Sequence, residues 1–567
     1  MHVKTFPYAL NLNIDERLAA AAELKEEKSR AERLLQALSW KQCLEPGYPL
    51  IVALVGGTGT GKSTLFNSLA GRAVSAVGIK RPCTLAATVF VHQDWEEQFR
   101  NCPFFQRRNE VAGEAGSSEV TLETHDNAEL AGFLLVDTPD VDSVELGNRL
   151  VAEDFFVLSD VLVFVTSQEK YGDLSGQRVR EEARAWGKMT LLAMNKVVSA
   201  TAFEDFRKSV APSERSIADV VRVERMDSMP ELIPGLWGRE GFVALRSLGS
   251  EKQREEARRR EIVRLVTQTR LRLETLEESL SVQFERINRV NERIGTLLDG
   301  VRQELDAELD DVVSADVETH IQERLQQLLR KYDIFFVPRM IIRNAVKKAL
   351  GLVAELLFSS TTESENGEKA LRSEDLETTR SSVRLEPLQS AVAKLNLRIA
   401  EMLASDPTLE DLRRVARTDV PAFDEAEIRR RFEKAFPGVR SLLEAEFDRL
   451  RAGLTLGDEL KLYGSYTVWA LLLVTAEIVL GGGFTLLDAL LNTAIVPFIP
   501  KWLLNLKIVD LLREIGERVD REYRDSLRTI LEQQGEVYVT VFRGLLPDEK
   551  AVKAVRSLRL GLSGRAG

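Results

Sequence analysis

The apolar run Leu50–Val55 feeds directly into Gly56-Gly57-Thr58-Gly59-Thr60-Gly61-Lys62-Ser63, and a helical pattern, Thr64-Leu65-Phe66-Asn67-Ser68-Leu69, follows at once. No other feature of the chain restricts its fold as much. A strand that ends in closely spaced glycines and restarts as a helix lets backbone N–H groups wrap around phosphate. The helix N-terminus then faces the negative charge. In this arrangement Lys62 reaches the β- and γ-phosphates and the Ser63 hydroxyl ligates Mg²⁺. Gly56, Gly57, Thr58, Gly59, Thr60, Gly61, Lys62, Ser63 and Thr64 are the expected phosphate-binding residues.

Downstream elements fall in a matching order. Phe133-Leu134-Leu135-Val136-Asp137 reads as an apolar strand ending in an acid, followed by Thr138-Pro139-Asp140. An aspartate at that strand end can hold Mg²⁺ through water, opposite Ser63. Between the two lies Arg81-Pro82-Cys83-Thr84, before a strand expected over Ala86–His92. Thr84 can complete the Mg²⁺ shell and sense the γ-phosphate. A strand over Thr190–Met194 runs into Asn195-Lys196, the position of an N-K-x-D base-reading element, but its fourth position is Val198. Asn195 and Lys196 can pack on the base and brace the phosphate loop. A further strand expected over Phe242–Leu245, running into Arg246-Ser247, is either a last base-contacting loop or plain sheet core. Leu174-Ser175-Gly176-Gln177 is read as a helix start. Asp142 and Asp173 are read as solvated loop acids.

Around these motifs the chain changes character twice. Residues 14–40 carry apolar groups at helical spacing and end at Glu45-Pro46-Gly47, giving one N-terminal helix over residues 1–45. Residues 46–250 alternate short apolar runs with helix-like stretches, the pattern of a mostly parallel α/β sheet. From residue 251 to 567 strands cease and apolar positions recur every three or four residues, as in an elongated helical bundle or coiled coil. Residues 359–382 are polar and read as a mobile loop.

The order GGTGTGKST, RPCT, DTPDVDS, NK resembles the translation-factor-type GTPases and most of all the dynamin-like family, closely over residues 50 to 200. That resemblance implies GTP or GDP as ligand, Mg²⁺-dependent hydrolysis, and G domains that dimerise or oligomerise across their nucleotide faces. It also implies flanking helices that pack as a neck, and a stalk whose tip touches membrane lipid. Asp140 stands where the family's DxPG element has glycine. Val141 takes the place of a water-orienting glutamine, as an apolar residue does in dynamin-like enzymes. Hydrolysis would then rest on Lys62, Thr84 and Thr58, slowly in one molecule and faster where two G domains meet.

Composition bears on partners. The net charge of −11 gives no overall field to attract nucleic acid, so none is expected. Three cysteines, Cys43, Cys83 and Cys102, form neither a disulfide framework nor a metal site and fit a reducing cytoplasm. No apolar run reaches the roughly 20 residues of a spanning helix. Two segments of the helical region remain candidates for peripheral lipid contact. Residues 467–506 form an apolar hairpin pattern around Gly481–Gly483, which either enters one leaflet or is buried core. Residues 334–358 set Arg339, Arg343, Lys347 and Lys348 among bulky apolar groups. The alternative to a membrane-acting protein is a soluble regulatory GTPase whose helical region docks a protein or ribonucleoprotein.

Overall fold

Strands β1 (Leu50–Val55), β2 (Ala87–His92), β3 (Val120–His125), β4 (Phe133–Asp137), β5 (Val161–Ser167), β6 (Met189–Val197) and β7 (Val221–Glu224) form one sheet in the order β3-β2-β4-β1-β5-β6-β7. This is a computed structural model. It describes residues 9–76, 87–102, 104–105, 120–140, 146–210, 217–226, 231–310, 383–435, 437–453, 458–491, 495 and 508–563. β1, β4, β5, β6 and β7 run parallel, whereas β2 pairs antiparallel with β4 and parallel with β3. β1, β4 and β5 are buried along their whole length, as continuous apolar strands covered on both faces must be.

The helices of this part are α1 (Ala21–Gln42), α2 (Lys62–Ala70), α3 (Glu96–Arg100), α4 (Leu146–Leu158), α5 (Leu174–Ala185), α6 (Ala200–Ser209) and α7 (Glu240–Ser247). α2 buries Leu65, Phe66 and Leu69 in a core that also holds Leu54, Phe90, Phe133, Leu135 and Val163. The helix start expected at Leu174 is where α5 begins. One expectation needs correction. Phe242–Leu245 is not a strand but lies in α7, where Phe242 and Leu245, three apart, are buried on one face while Val243 is 49% exposed. A three-residue spacing selects a helix, which a short apolar run conceals. The strand that does follow β6 is β7, whose Val221 and Val223 point inward and whose Glu224 is exposed.

The long helix α8 (Glu251–Asp310) follows, and the chain divides within it. One compact unit comprises residues 1–283 together with 547–567, the other residues 284–546. Thus residues 251–283, and a C-terminal helix, belong with the sheet and not with the rest of the helical region.

In the first unit a buried ionic layer ties α1 and the start of α8 to the sheet. Lys41 Nζ donates to Asp160 Oδ1 at 2.5 Å, and Asp160 Oδ2 accepts from the Ile51 amide at 2.9 Å. Lys188 Nζ donates to Glu261 at 2.7 Å and to the carbonyls of Ser159 at 2.7 Å and Val157 at 3.1 Å. Both lysine ammonium groups are out of contact with solvent, so these partners replace their hydration shells.

The second unit holds α9 (Glu386–Ala404), α10 (Glu410–Asp419), α11 (Glu425–Ala435), α12 (Pro437–Gly453), α13 (Asp458–Leu490) and α14 (Ile508–Gly544); α15 (Glu549–Ser563) returns to the first unit. α14 buries Leu512, Val519, Tyr523, Leu527, Ile530, Gln534, Tyr538 and Phe542 along one seam. From Val468 to Val474 α13 carries apolar side chains on every side. Val468 to Leu480 are buried except Glu477, so this half of the apolar hairpin candidate is covered by protein rather than presented to lipid. The backbone leaves helical geometry at Gly483 (φ 81°, ψ 170°). Residues 334–358, 359–382, and the candidate's second half apart from 484–491 and 495 lie outside the described residues. Among the described residues, no helix is long and apolar enough to cross a membrane.

Candidate functional site

The phosphate loop sits at the C-terminal end of β1, in the centre of the sheet, and α2 begins at Lys62. Its glycines answer to space and torsion. A Cβ on Gly56 would stand 2.1 Å from the Val165 carbonyl oxygen of β5. Gly61 has φ 91° and would meet Asn195 Nδ2 at 2.2 Å. Thr60 Oγ1 donates to the Gly57 carbonyl at 2.9 Å and closes the loop on itself. From β6, Asn195 Nδ2 donates to the Thr60 carbonyl at 3.0 Å and Lys196 Nζ to the Gly59 carbonyl at 2.7 Å. Lys196 takes φ 58°, a left-handed conformation that a non-glycine residue adopts only under constraint. Both residues therefore brace the loop, as their sequence position suggests.

Lys62 is 4% exposed. Its ammonium donates to the Gly56 carbonyl at 3.0 Å, more weakly to that of Gly57 at 3.4 Å, and pairs with Asp140. Asp137, at the end of β4, is fully buried. Its Oδ2 accepts from the Ser75 hydroxyl at 2.7 Å, the Ser63 side chain also bonds the carboxylate, and Oδ1 has no partner. Burial raises the Asp137 pKa above the usual carboxylate value, opposed by the Lys62 charge and by the bonds from Ser63 and Ser75. A buried, orphaned carboxylate oxygen beside a serine hydroxyl is a hard-oxygen donor set that suits Mg²⁺. These residues fit that ion.

The structure thus brings Gly56 through Lys62, Ser63, Asp137, Asn195 and Lys196 to one end of the sheet. Thr84, Val141 and Asp142 lie outside the described residues. Val198 is 66% exposed, and its amide donates to Gln168 Oε1 at 2.9 Å; the same oxygen caps Ser199 at 3.0 Å. Arg246 and Ser247 belong to α7; the loop after the last strand is instead Arg225-Met226, following β7. Sequence reasoning also missed Asn67. Its Oδ1 accepts from the amides of Val74 (2.9 Å) and Ser75 (2.8 Å), setting the Ser75 hydroxyl on Asp137. A polar residue at a buried position of α2 was the available signal.

Residues 51–196 match a family described as the 50S ribosome-binding GTPases. This is a GTPase domain. It binds guanine nucleotide and hydrolyses GTP, and the loop, Lys62 and Asp137 lie within the matched span. The GTPase domain is preceded by one helix and followed by a helical region, the arrangement of the dynamin-like proteins that its motifs resemble. No curated protein matches the chain. Two solved structures of an oligomerised bacterial dynamin pair, described as a mechanism for the long-range sensing and tethering of membranes, are similar over 94% of this chain and 92% of theirs. Identities are 13% and 14%, with TM-scores of 0.31 and 0.32.

Proposed function

We propose that the chain is a dynamin-like GTPase that binds GTP with Mg²⁺, pairs through its GTPase domain, and acts peripherally on membranes through its helical region. The observation that carries the nucleotide part is the phosphate loop braced by Asn195 and Lys196, with Lys62 held on the Gly56 carbonyl. When bound, Mg²⁺ would neutralise charge between the β- and γ-phosphates; Ser63, Asp137 and Thr84 are its proposed holders. Lys62 compensates phosphate charge, and Thr58 is half-buried beside the exposed Gly59 on the lip of the loop, where a partner G domain would approach. Replacing Lys62 by Ala removes the phosphate-facing charge and should abolish nucleotide binding in an equilibrium titration; full retained affinity would misplace the site.

Guanine selectivity is proposed to survive Val198 through Asn195 and Lys196. Unlabelled ATP should fail to displace labelled GTP at equal concentration, and effective displacement would overturn that reading.

The membrane part rests on the resemblance and on the composition of residues 334–358. A second reading is favoured by one observation, the protein-covered stretch from Val468 to Leu480: a soluble GTPase whose helical region docks a protein or ribonucleoprotein. Flotation with anionic liposomes, with and without a non-hydrolysed GTP analogue, decides between them. Association supports membrane action. Its absence in both states, with co-sedimentation on ribosomal particles, supports the second.

A further inference from the structure

Lys62 has three N–H donors and three acceptors: the Gly56 carbonyl at 3.0 Å, the Gly57 carbonyl at 3.4 Å and Asp140 Oδ1. A phosphate oxygen can gain this ammonium only by replacing one of them. The two carbonyls belong to a backbone that cannot easily yield. Gly56 is pressed against Val165, Thr60 ties back to Gly57, and Asn195 and Lys196 hold the carbonyls of Thr60 and Gly59. Asp140 differs. It reaches Lys62 by a side chain, three residues beyond the end of β4, and it carries the same sign of charge as the incoming phosphate.

We propose that Asp140 is an affinity-setting residue of the GTPase site, whose carboxylate occupies the anion position of Lys62 and is exchanged for nucleotide phosphate. The resemblance puts glycine at this position, and glycine has no group to make the contact. The exchange has two effects. Nucleotide binds against an internal competitor, so affinity is lower than the loop alone would give. Phosphate occupancy also breaks the tie between Lys62 and the segment that leaves β4, so arrival of nucleotide is transmitted to that segment through one ion pair. Both effects rest on the phosphate-site reading, but they are tested apart from it.

The test uses the full chain stripped of nucleotide. A fluorescent, non-hydrolysed GTP analogue is titrated with Mg²⁺ against wild type, Asp140→Asn and Asp140→Gly, with thermal melting as the check of folding. Both variants are expected to bind about tenfold more tightly than wild type, the equivalent of one ordinary charged contact removed from competition. Loss of a merely structural contact would weaken binding, so the sign of the change is diagnostic. Equal or weaker affinity in a folded variant overturns the proposal, whereas failure of wild type to bind at all overturns the site itself. A second measurement needs no variant. Without nucleotide, Lys62 of the wild type should react with an amine-acylating reagent at least tenfold more slowly than Lys553, whose side chain is 75% exposed, as read by peptide mass spectrometry. Equal rates overturn the proposal even if neither variant folds.

Discussion

Gly61 is held at φ 91° with Asn195 Nδ2 2.2 Å from where a Cβ would stand. Alanine there costs about 1–2 kcal/mol for the left-handed backbone alone and also displaces the amide that braces Thr60. Gly61→Ala should therefore lower nucleotide affinity at least tenfold in a titration; wild-type affinity would show that the brace is dispensable. His125 supplies a pH dependence. Burial, with the charges of His92 and Arg72 and against that of Asp126, lowers its pKa from 6.5 to about 4. The unfolded chain then binds more protons than the folded one between those values. Stability from this group is complete above pH 6.5 and is lost as pH falls toward 4. Denaturant midpoints measured at pH 7.5 and 5 should differ less in His125→Gln than in wild type, and an unchanged difference would rule this group out. At this scale the sequence was legible where a residue type does one job in one place, as Lys62 and Asn195 do. Ser75 and Gln168 were not legible. Their hydrogen-bond partners, Asp137 at one and the Val198 and Ser199 amides at the other, are 62 and 30 or more positions away.

Lys188, immediately before β6, and Glu261 on α8 form a pair with no solvent contact, and that pair fixes a helix to the sheet. Removing one partner leaves a buried charge, which costs roughly 3–5 kcal/mol, while replacing both by apolar groups of similar volume is near neutral. Glu261→Ala should lose about that much in denaturant unfolding. Glu261 also pairs with the buried Arg264, so Lys188→Met with Glu261→Leu should recover only the part due to Lys188, and adding Arg264→Met should recover the rest; a triple variant as unstable as the single would mean that the ion pairs themselves are required. The same element boundaries show why strands were read well and one helix was not. β1, β4 and β5 are runs that only a doubly covered sheet accommodates, so their apolar residues announce them. α7 is eight residues long, too short for its period to show against β-like Phe242 and Val243. The short strand β7 hides in the same way, with Arg222 and Glu224 breaking its apolar run.

For the whole molecule, pairing through the GTPase domain predicts that turnover per molecule depends on protein concentration. Phosphate release measured over a hundredfold dilution should rise with concentration toward a plateau, and a flat profile would remove the dimer from the mechanism. The succession of N-terminal helix, sheet and helices was legible because short continuous apolar runs replace helical spacing after residue 46 and give way to it again after residue 250. Which distant helices share a unit was not, since periodicity says nothing of partners. α15 joins the first unit, with Arg559 Nε on Glu277 at 2.9 Å and Leu562 buried, and Glu27 of α1 lies 3.8 Å from Arg272 of α8. During synthesis this arrangement imposes an order of events. Residues 549–563 emerge after the entire second unit, so α1 and the N-terminal half of α8 wait for their third helix until the ribosome has made all of residues 284–546. A nascent chain stalled before residue 547 would carry a complete phosphate loop in an unfinished first unit.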